Sequence, residues 1–442
     1  MTSSEPSSAG SNTLHTSGSS QRDRVAAAAH EVLAKHPPAT TPVTDLLGAV
    51  YDAGLAWVHF PVGLGGLDAP PALQAVSDTI LRAAGVPDPL FVNVIGYGMA
   101  APTVLAHGQP ELTRRILRPL FTGEELWCQL FSEPGAGSDL AGLATRAVRD
   151  GDDWVINGQK VWTSGAHQAR WALLVARSNP DVAKHRGLTY FVVDMTDPGV
   201  EVRPLRQMTG DAEFNEVYLT DVRIPDAHRL GNEGDGWRVS MTTLMNERSA
   251  LGGAFDHGRG GGSIGNALNL WKQRPDLHTP ELRAKLTNLF VRSEGNRYGT
   301  QMRIAAQGDA PMGPEGSIGK LMGAELNQQI YDFCVELLGI EATLYASYDM
   351  RRVVEDDRRA DTMWAFLRSK ANTIEGGTSD VMRNIIGERV LGLPGDIRVD
   401  TDKAWKDGST PTKPGRTCPA DERQRRPSNP DERQRRPSGP DQ

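Results

Sequence analysis

The spacing of apolar residues changes twice along this chain, and those changes restrict its fold more than any single motif does. From Asp23 to about Glu125 the spacing is helical, in RVAAAAHEVLAKH, TDLLGAVYDAGLAW and ALQAVSDTILRAAG, with Pro/Gly breaks between. From Trp127 to about Asp235 the texture is that of strands. RAVRDGDDWVINGQKVWTSG reads as two hairpin-like runs with Asp-Gly and Asn-Gly turns, and WALLVAR, LTYFVVDM and EVYLTDVRIP add runs rich in Val, Tyr, Phe and Thr. From Trp237 to about Leu393 helical patterns return in WRVSMTTLMNERSAL, TPELRAKLTNLFVRSEGNRY, IGKLMGAELNQQIYDFCVELLG and SDVMRNIIGERVL. The predicted plan is α+β: a helical region over 21–126, a β region over 127–235 and a second helical region over 236–396.

The two ends differ from this middle. Residues 1–20 are rich in Ser, Gly and Thr and read as a flexible arm without a secretory signal. From 397 onward, and clearly after about Asp400, the chain reads as a disordered tail. It repeats DERQRRPS at Asp421–Ser428 and Asp431–Ser438 with nothing apolar to bury, so a solvated tail is the plain reading. A hydrophobic content of 38% over 442 residues agrees with some disorder. With 48 Lys and Arg against 55 Asp and Glu, the net charge of -7 argues against a nucleic-acid binder. Cys128, Cys334 and Cys418 are too far apart for a zinc pattern and suit a reducing cytoplasm. No run is long and apolar enough to predict a membrane span.

Two glycine motifs are set aside. Gly260–Gly265 matches G-x-G-x-x-G, but a dinucleotide fingerprint follows a strand, and MNERSALGGAFDHG before it looks helical. Gly316–Leu321 resembles a P-loop but has Pro314 at the first glycine position and Leu321 at the Ser/Thr position. The ten histidines show no H-E-x-x-H or other paired spacing, so no metal ligands are assigned, and no G-x-S-x-G elbow is present.

FSEPGAGSD, Phe131–Asp139, is more informative. Pro134, Gly135 and Gly137 interrupt regular structure between Ser132 and Ser138, so the turn offers backbone N–H groups and hydroxyls to a polar ligand. An ordinary surface turn is an equal reading of those residues alone. KVWTSGA, Lys160–Ala166, offers the aromatic face of Trp162 beside the hydroxyls of Thr163 and Ser164, and alone could be a packed strand end.

With LWCQLFSEPGAGSD, GDDWVINGQKVWTSGA, FNEVYLTDVRIPDAHRLGNEGDGW and IEGGTSDVMRNIIGERVLGLP in this order, the chain from about Asp23 to Leu393 resembles an acyl-CoA dehydrogenase. The resemblance implies an N-terminal helical domain, a middle β-barrel and a C-terminal four-helix bundle, with non-covalent FAD between barrel and bundle. It places Phe131 and Ser132 against the isoalloxazine, Trp162 beside the ring and Ser164 near flavin N5. Gln129, Gly137, Ser138 and Thr163 fall in the same cofactor set, and Thr378 and Asp380 fall near the pyrophosphate and adenosine. Ser138 is implied at the pantetheine arm of coenzyme A, with Arg248, Gly376 and Gly377 also on the substrate side. The chain departs from the family on the adenine side. NLFVRSEGNRYGTQ lacks the Arg-x-x-Phe-Gly motif, and Glu336-Leu337-Leu338-Gly339-Ile340 stands for Gln-x-x-Gly-Gly. An unusual assembly is expected from this.

The family reaction is α,β-dehydrogenation of an acyl-CoA thioester to the trans-2-enoyl form. A carboxylate removes the α-proton while hydride leaves the β-carbon for flavin N5. The thioester oxygen is steadied by a ribityl hydroxyl and a backbone N–H. Many members carry the base in Glu-Gly-Thr-Ser. Here Gly376 holds that place and Glu375 stands one residue early, suited to a helix-dipole contact. Glu247, in LMNERSALGG, resembles the base of the isovaleryl and long-chain branch. Helical spacing puts it on a face with Ser240, Thr243, Leu244 and Leu251. Without the resemblance, Glu247 beside Arg248 reads as a surface ion pair; with it, Glu247 is the expected base. The implied partners are an acyl-CoA, an electron-transferring flavoprotein, and copies of the chain in a homotetramer or homodimer, or a mixed tetramer. The rival readings are an acyl-CoA oxidase-type flavoenzyme and a non-catalytic subunit of a mixed tetramer.

Overall fold

The N-terminal helices wrap one face of a curled sheet, and the last helices build a core of their own. The computed structural model describes residues 12–254, 258–307, 313–345, 347–351, 361–395, 397 and 400–408, with the side chains of 12–19, 91, 248–254 and 307 outside the description. The first helices are α1 (Asn12–Lys35), α2 (Val43–Asp52), α3 (Gln74–Ala83), the short α4 (Pro89–Val92), α5 (Ala101–His107) and α6 (Pro110–Thr122). α1 begins at Asn12, inside the stretch whose composition predicts a flexible arm. α6 buries Leu112, Ile116, Leu117, Leu120 and Phe121 along one stripe and stops at Gly123, whose φ of +77° is a left-handed C-terminal stop.

The β region has eight strands: β1 (Trp127–Leu130), β2 (Arg146–Asp150), β3 (Asp153–Ser164), β4 (Trp171–Arg177), β5 (Leu188–Asp194), β6 (Val200–Pro204), β7 (Phe214–Pro225) and β8 (Arg229–Leu230). Their order is β6-β7-β3-β2-β4-β5-β8, with β1 parallel to β4. β4 is buried along its whole length. Ala172, Leu174 and Ala176 enter the core inside the sheet, whereas Trp171, Leu173 and Val175 join the core shared with the N-terminal helices. Burial on both faces explains why WALLVAR is continuously apolar instead of alternating. Gly151 makes the expected Asp-Gly turn between β2 and β3. Asn157-Gly158, expected as a second turn, lies within β3 at a register shift against β7. A β-carbon at Gly158 would come within 2.4 Å of Thr145 Oγ1, so close packing rather than a turn requires glycine there.

The C-terminal region contains α7 (Gly236–Ala254), α8 (Gly262–Gln273), α9 (Pro280–Gln307), α10 (Gly316–Leu338), α11 (Thr362–Ser369), α12 (Ser379–Ile385) and α13 (Trp405–Gly408). α8 to α11 share a third core around Ile264, Leu289, Leu326, Ile330, Phe333 and Ala365. α7 instead puts Val239 and Leu244 into the core shared by the sheet and the N-terminal helices. The Gly260–Gly265 run opens α8, with Gly260 N–H donating to Glu294 at 2.8 Å, and the described element before it is the helix α7, not a strand. Among the described residues no helix is long and apolar enough to cross a membrane.

Residues 400–408, assigned by composition to the tail, lie against the sheet. Trp405 N–H donates to Val182 O at 2.8 Å, its indole N–H donates to Gly142 O at 3.1 Å, and Asp400 pairs with Lys184 at 2.6 Å. The DERQRRPS repeat lies outside the described residues.

Candidate active site

Glu247 is half-buried on the last turns of α7. A β-carbon built on Gly376 would stand 3.8 Å from Glu247 Oε1. The two positions that could carry the catalytic carboxylate therefore face one point in space, although they lie 129 positions apart in sequence. Among the described residues the Gly376 N–H donates to no backbone carbonyl. Gly376 and Gly377 hold φ values of +61° and +92°, in the left-handed region that glycine adopts without strain.

The face of α7 that carries Glu247 matches the helical reading. Ser240 and Thr243 are fully buried, and Ser240 donates to Gly236 O at 2.7 Å. Thr243 Oγ1 lies 3.0 Å from Thr103 Oγ1 and 2.9 Å from the Tyr190 hydroxyl of β5. Burial raises the Tyr190 hydroxyl far above the ordinary tyrosine range; the bond to Thr243 opposes this, and the negative charge of Glu247 adds to it. Leu251 and Arg248 have side chains outside the described residues.

The same tyrosine reaches the FSEPGAGSD turn, since Phe131 packs edge-on against it at 5.8 Å and 87°. Lys160, wholly buried, donates to Phe131 O at 3.0 Å, Val175 O at 2.9 Å and Glu133 Oε1 at 2.8 Å. Glu133 in turn accepts from Ala144 and Thr145 N–H. The turn is thus fixed at its first residues, while Gly137 and Ser138 are exposed. Gln129 sits in β1 opposite Leu173, and Val161 N–H donates to Ser132 O at 2.9 Å.

Trp162 is at a bulge of β3, between the Lys160–Val217 and Thr163–Asn215 pairs. Its φ is +62° and it is 58% exposed, both unusual for a tryptophan in a strand. The bulge turns the indole outward and tucks Thr163 in, and Thr163 Oγ1 is buried with no hydrogen-bond partner. Ser164, the last residue of β3, is half-buried. An exposed aromatic face beside an unsatisfied buried hydroxyl fits a flat ring with a polar edge.

Trp162 contacts Phe214 edge-on at 5.9 Å, and the Arg368 guanidinium lies 5.8 Å from the Phe214 ring. Arg368 then grips Glu375 through two bonds of 3.0 and 2.8 Å, with Asn372 adding a third of 2.8 Å. Glu375 is therefore a structural anchor. Its partners are Arg368 and Asn372 instead of the expected helix dipole, because Thr378 caps α12 by accepting from Val381 N–H at 3.2 Å. Asp380 is 91% exposed and pairs with Arg383.

Of the predicted residues, Glu247 faces Gly376, Phe131 reaches the helix of Glu247 through Tyr190 and Thr243, and Trp162 is linked through Phe214 and Arg368 to Glu375, next to Gly376. Ser138 and Asp380 lie at exposed margins. Sequence reasoning missed Tyr190, Arg368, and the polar face of α10 formed by Lys320, Asn327 and Gln328. Lys320 donates to Asn372 O at 2.9 Å and Gly377 O at 2.5 Å; Asn327 donates to Asn372 Oδ1 at 2.6 Å; Gln328 donates to Thr373 Oγ1 at 2.9 Å. Their i, i+7, i+8 spacing on a buried helix is a signal the sequence did carry. The Glu336–Ile340 element leaves Ile340 82% exposed.

Known proteins resemble this chain along most of its length. Residues 128–222 match the family model for the acyl-CoA dehydrogenase middle domain, and 234–391 match that for the acyl-CoA dehydrogenase C-terminal domain. The chain is 41% identical over 377 residues to acyl-CoA dehydrogenase FadE34 of Mycobacterium tuberculosis, covering 84% of this chain but only 48% of that protein, so it spans about half of its length. It is 37% identical over 350 residues to acyl-CoA dehydrogenase IpdE1 of the same organism, covering 78% of this chain and 86% of that one. The solved ChsE4-ChsE5 complex from Mycobacterium tuberculosis superposes with a TM-score of 0.63 at 28% identity, covering 88% of this chain and 100% of the matched one.

Proposed function

This chain belongs to the acyl-CoA dehydrogenase family of oxidoreductases, and from that premise we propose that it oxidises an acyl-CoA thioester to its trans-2-enoyl form with Glu247 as the base. The observation that carries this reading is the approach of Glu247 Oε1 to the Gly376 position. Glu247 would take the α-proton from its half-buried place on α7, above the Thr243–Tyr190 network. The Gly376 N–H would donate to the thioester oxygen, which needs a donor because an unactivated α-proton is too weakly acidic for a carboxylate. Ser138 and Arg248 would meet the coenzyme A arm.

The cofactor that fits is FAD, which when bound accepts the hydride from the β-carbon. Phe131, Ser132, Trp162, Thr163 and Ser164 would hold its ring, with Gln129 and Gly137 at its margin. Thr378 and Asp380 would lie toward its phosphates, on the far side of the turn. An electron-transferring flavoprotein is the proposed acceptor, and direct reaction with oxygen, detected as peroxide, marks the oxidase alternative.

The altered adenine-side elements favour a mixed assembly over a homotetramer or homodimer, and the 28%-identical solved relative is itself a two-component complex. One experiment tests both parts. The purified chain, alone and with candidate partner subunits, is examined for bound flavin and then mixed anaerobically with a panel of acyl-CoAs. Glu247→Gln is expected to abolish bleaching of the flavin band by at least a thousandfold in rate, whereas Glu375→Gln retains most of it. Bleaching lost in Glu375→Gln and kept in Glu247→Gln would return the base to the turn. Flavin held only with a partner chain selects the mixed assembly.

A further inference from the structure

Lys320 has no role in the reaction as derived above, yet it is at the centre of the site. Its ammonium bonds the carbonyls on both sides of the Glu375–Gly376 pair, Asn372 O and Gly377 O. Its Cε would stand 3.8 Å from a β-carbon on Gly376, the same distance as Glu247 Oε1 from that point. Lysine and carboxylate thus flank one small volume from opposite helices, α10 and α7. Lys320 is half-buried, and burial lowers its proton affinity while the charges of Glu375 and Glu247 pull it back up.

We propose that Lys320 is a positioning residue for the base: it fixes the Gly376–Gly377 turn against Glu247 and keeps a positive charge beside that carboxylate. This rests on the reading of Glu247 as base. Partial burial raises a carboxylate's affinity for its proton, and a nearby positive charge offsets part of that. Glu375 also attracts this ammonium, but its carboxylate is already bridged by Arg368. Among the described residues the other ionisable groups around α7 include Tyr190 from β5, His107 from α5, which contacts Thr242 at 2.9 Å, and the Asp235–Arg238 pair at the helix start, with Arg248 the next residue along the helix.

The test uses the full chain with its flavin and any partner it needs. Lys320→Met removes the charge and both donated bonds, Lys320→Gln keeps a donor without the charge, and Lys320→Arg keeps the charge. Two readouts are taken: the acid limb of the kcat/KM profile, and a 13C titration of carboxyl-labelled glutamates with the Glu247 signal assigned by its loss in Glu247→Gln. Both are expected to move up by about one pH unit in Lys320→Met and Lys320→Gln and to return in Lys320→Arg. At neutral pH, kcat falls by about tenfold in Lys320→Met with KM little changed. If Lys320→Met does not fold, Lys320→Gln carries the charge test. An unmoved Glu247 titration in the uncharged variants overturns the proposal. A wild-type flavin that none of the acyl-CoAs bleaches overturns the dehydrogenase reading instead, and the 13C titration then still decides whether the Lys320 charge acts on Glu247.

Discussion

Lys160 has no exposed surface, and its three donated bonds explain how a lysine can stand buried within β3. Burial holds its ammonium well below the ordinary lysine range, against the attraction of Glu133. Burial tends to raise Glu133, but the charge and hydrogen bonds of Lys160 outweigh it and hold the carboxyl below the ordinary range. A buried pair of this kind adds little net stability when whole and costs much when halved, because the remaining charge has neither water nor partner. Lys160→Met is therefore expected to lose about 3–5 kcal/mol in urea unfolding at pH 7. Adding Glu133→Gln should recover part of it, since a glutamine oxygen can still accept from Ala144 or Thr145 N–H. A double variant no more stable than Lys160→Met would show that the lysine acts through its packing. The sign with pH follows from the lowered lysine. Between its folded and unfolded values the unfolded chain holds more protons, so relative stability rises with pH across that window. Glu133 acts in acid: its contribution is lost as pH falls through its lowered value.

Helical period was enough to place Glu247 with Ser240 and Thr243, because α7 is regular and that face is buried. What Glu247 faces was not legible from spacing: Gly376, Lys320 and Tyr190 lie on other elements, and only the fold brings them in. Glu375 shows the same limit, since its strongest partner, Arg368, is on α11 and the helix start nearest to it already had a cap in Thr378. β3 was misread at Asn157-Gly158 because an Asn-Gly pair fits both a tight turn and a bulge, and only the pairing with β7 distinguishes them. The second irregularity of β3 has functional weight. A tryptophan at a φ of +62° holds about 1 kcal/mol or more of backbone strain. Trp162→Gly should relieve it while removing the aromatic face, so the flavin-free chain is expected to melt within a few degrees of wild type. FAD should bind about tenfold or more weakly, measured by fluorescence titration. A large fall in melting temperature with unchanged FAD affinity would mean that the indole serves the fold and not the ring.

Three cores hold the described chain together, and the candidate site lies where they meet: Phe131 and Tyr190 belong to the first, β3 lines the second, and α10 forms the third. The segment Asp400–Gly408 adds a tie to the sheet from far along the sequence. Composition hides it because its few apolar atoms are concentrated in one residue, Trp405. The Arg177 guanidinium lies 4.5 Å from the Trp405 ring and donates to Leu143 O at 3.1 Å and Ala141 O at 2.5 Å. Lys184 joins Asp400 to Asp139, next to Ser138. The tie therefore presses on the loop that follows FSEPGAGSD. Trp405→Ala would remove the bond to Gly142 and the cation–aromatic contact while leaving the buried Arg177 bonds in place, a loss of about 1–2 kcal/mol. Because the loop and not the catalytic carboxylate is loosened, KM for the acyl-CoA is expected to rise about two- to fivefold with kcat within a factor of two. Amide exchange at residues 140–143 should quicken over the same interval. Unchanged exchange there, with stability lost all the same, would show that the segment braces the sheet as a whole and has no hold on the substrate side.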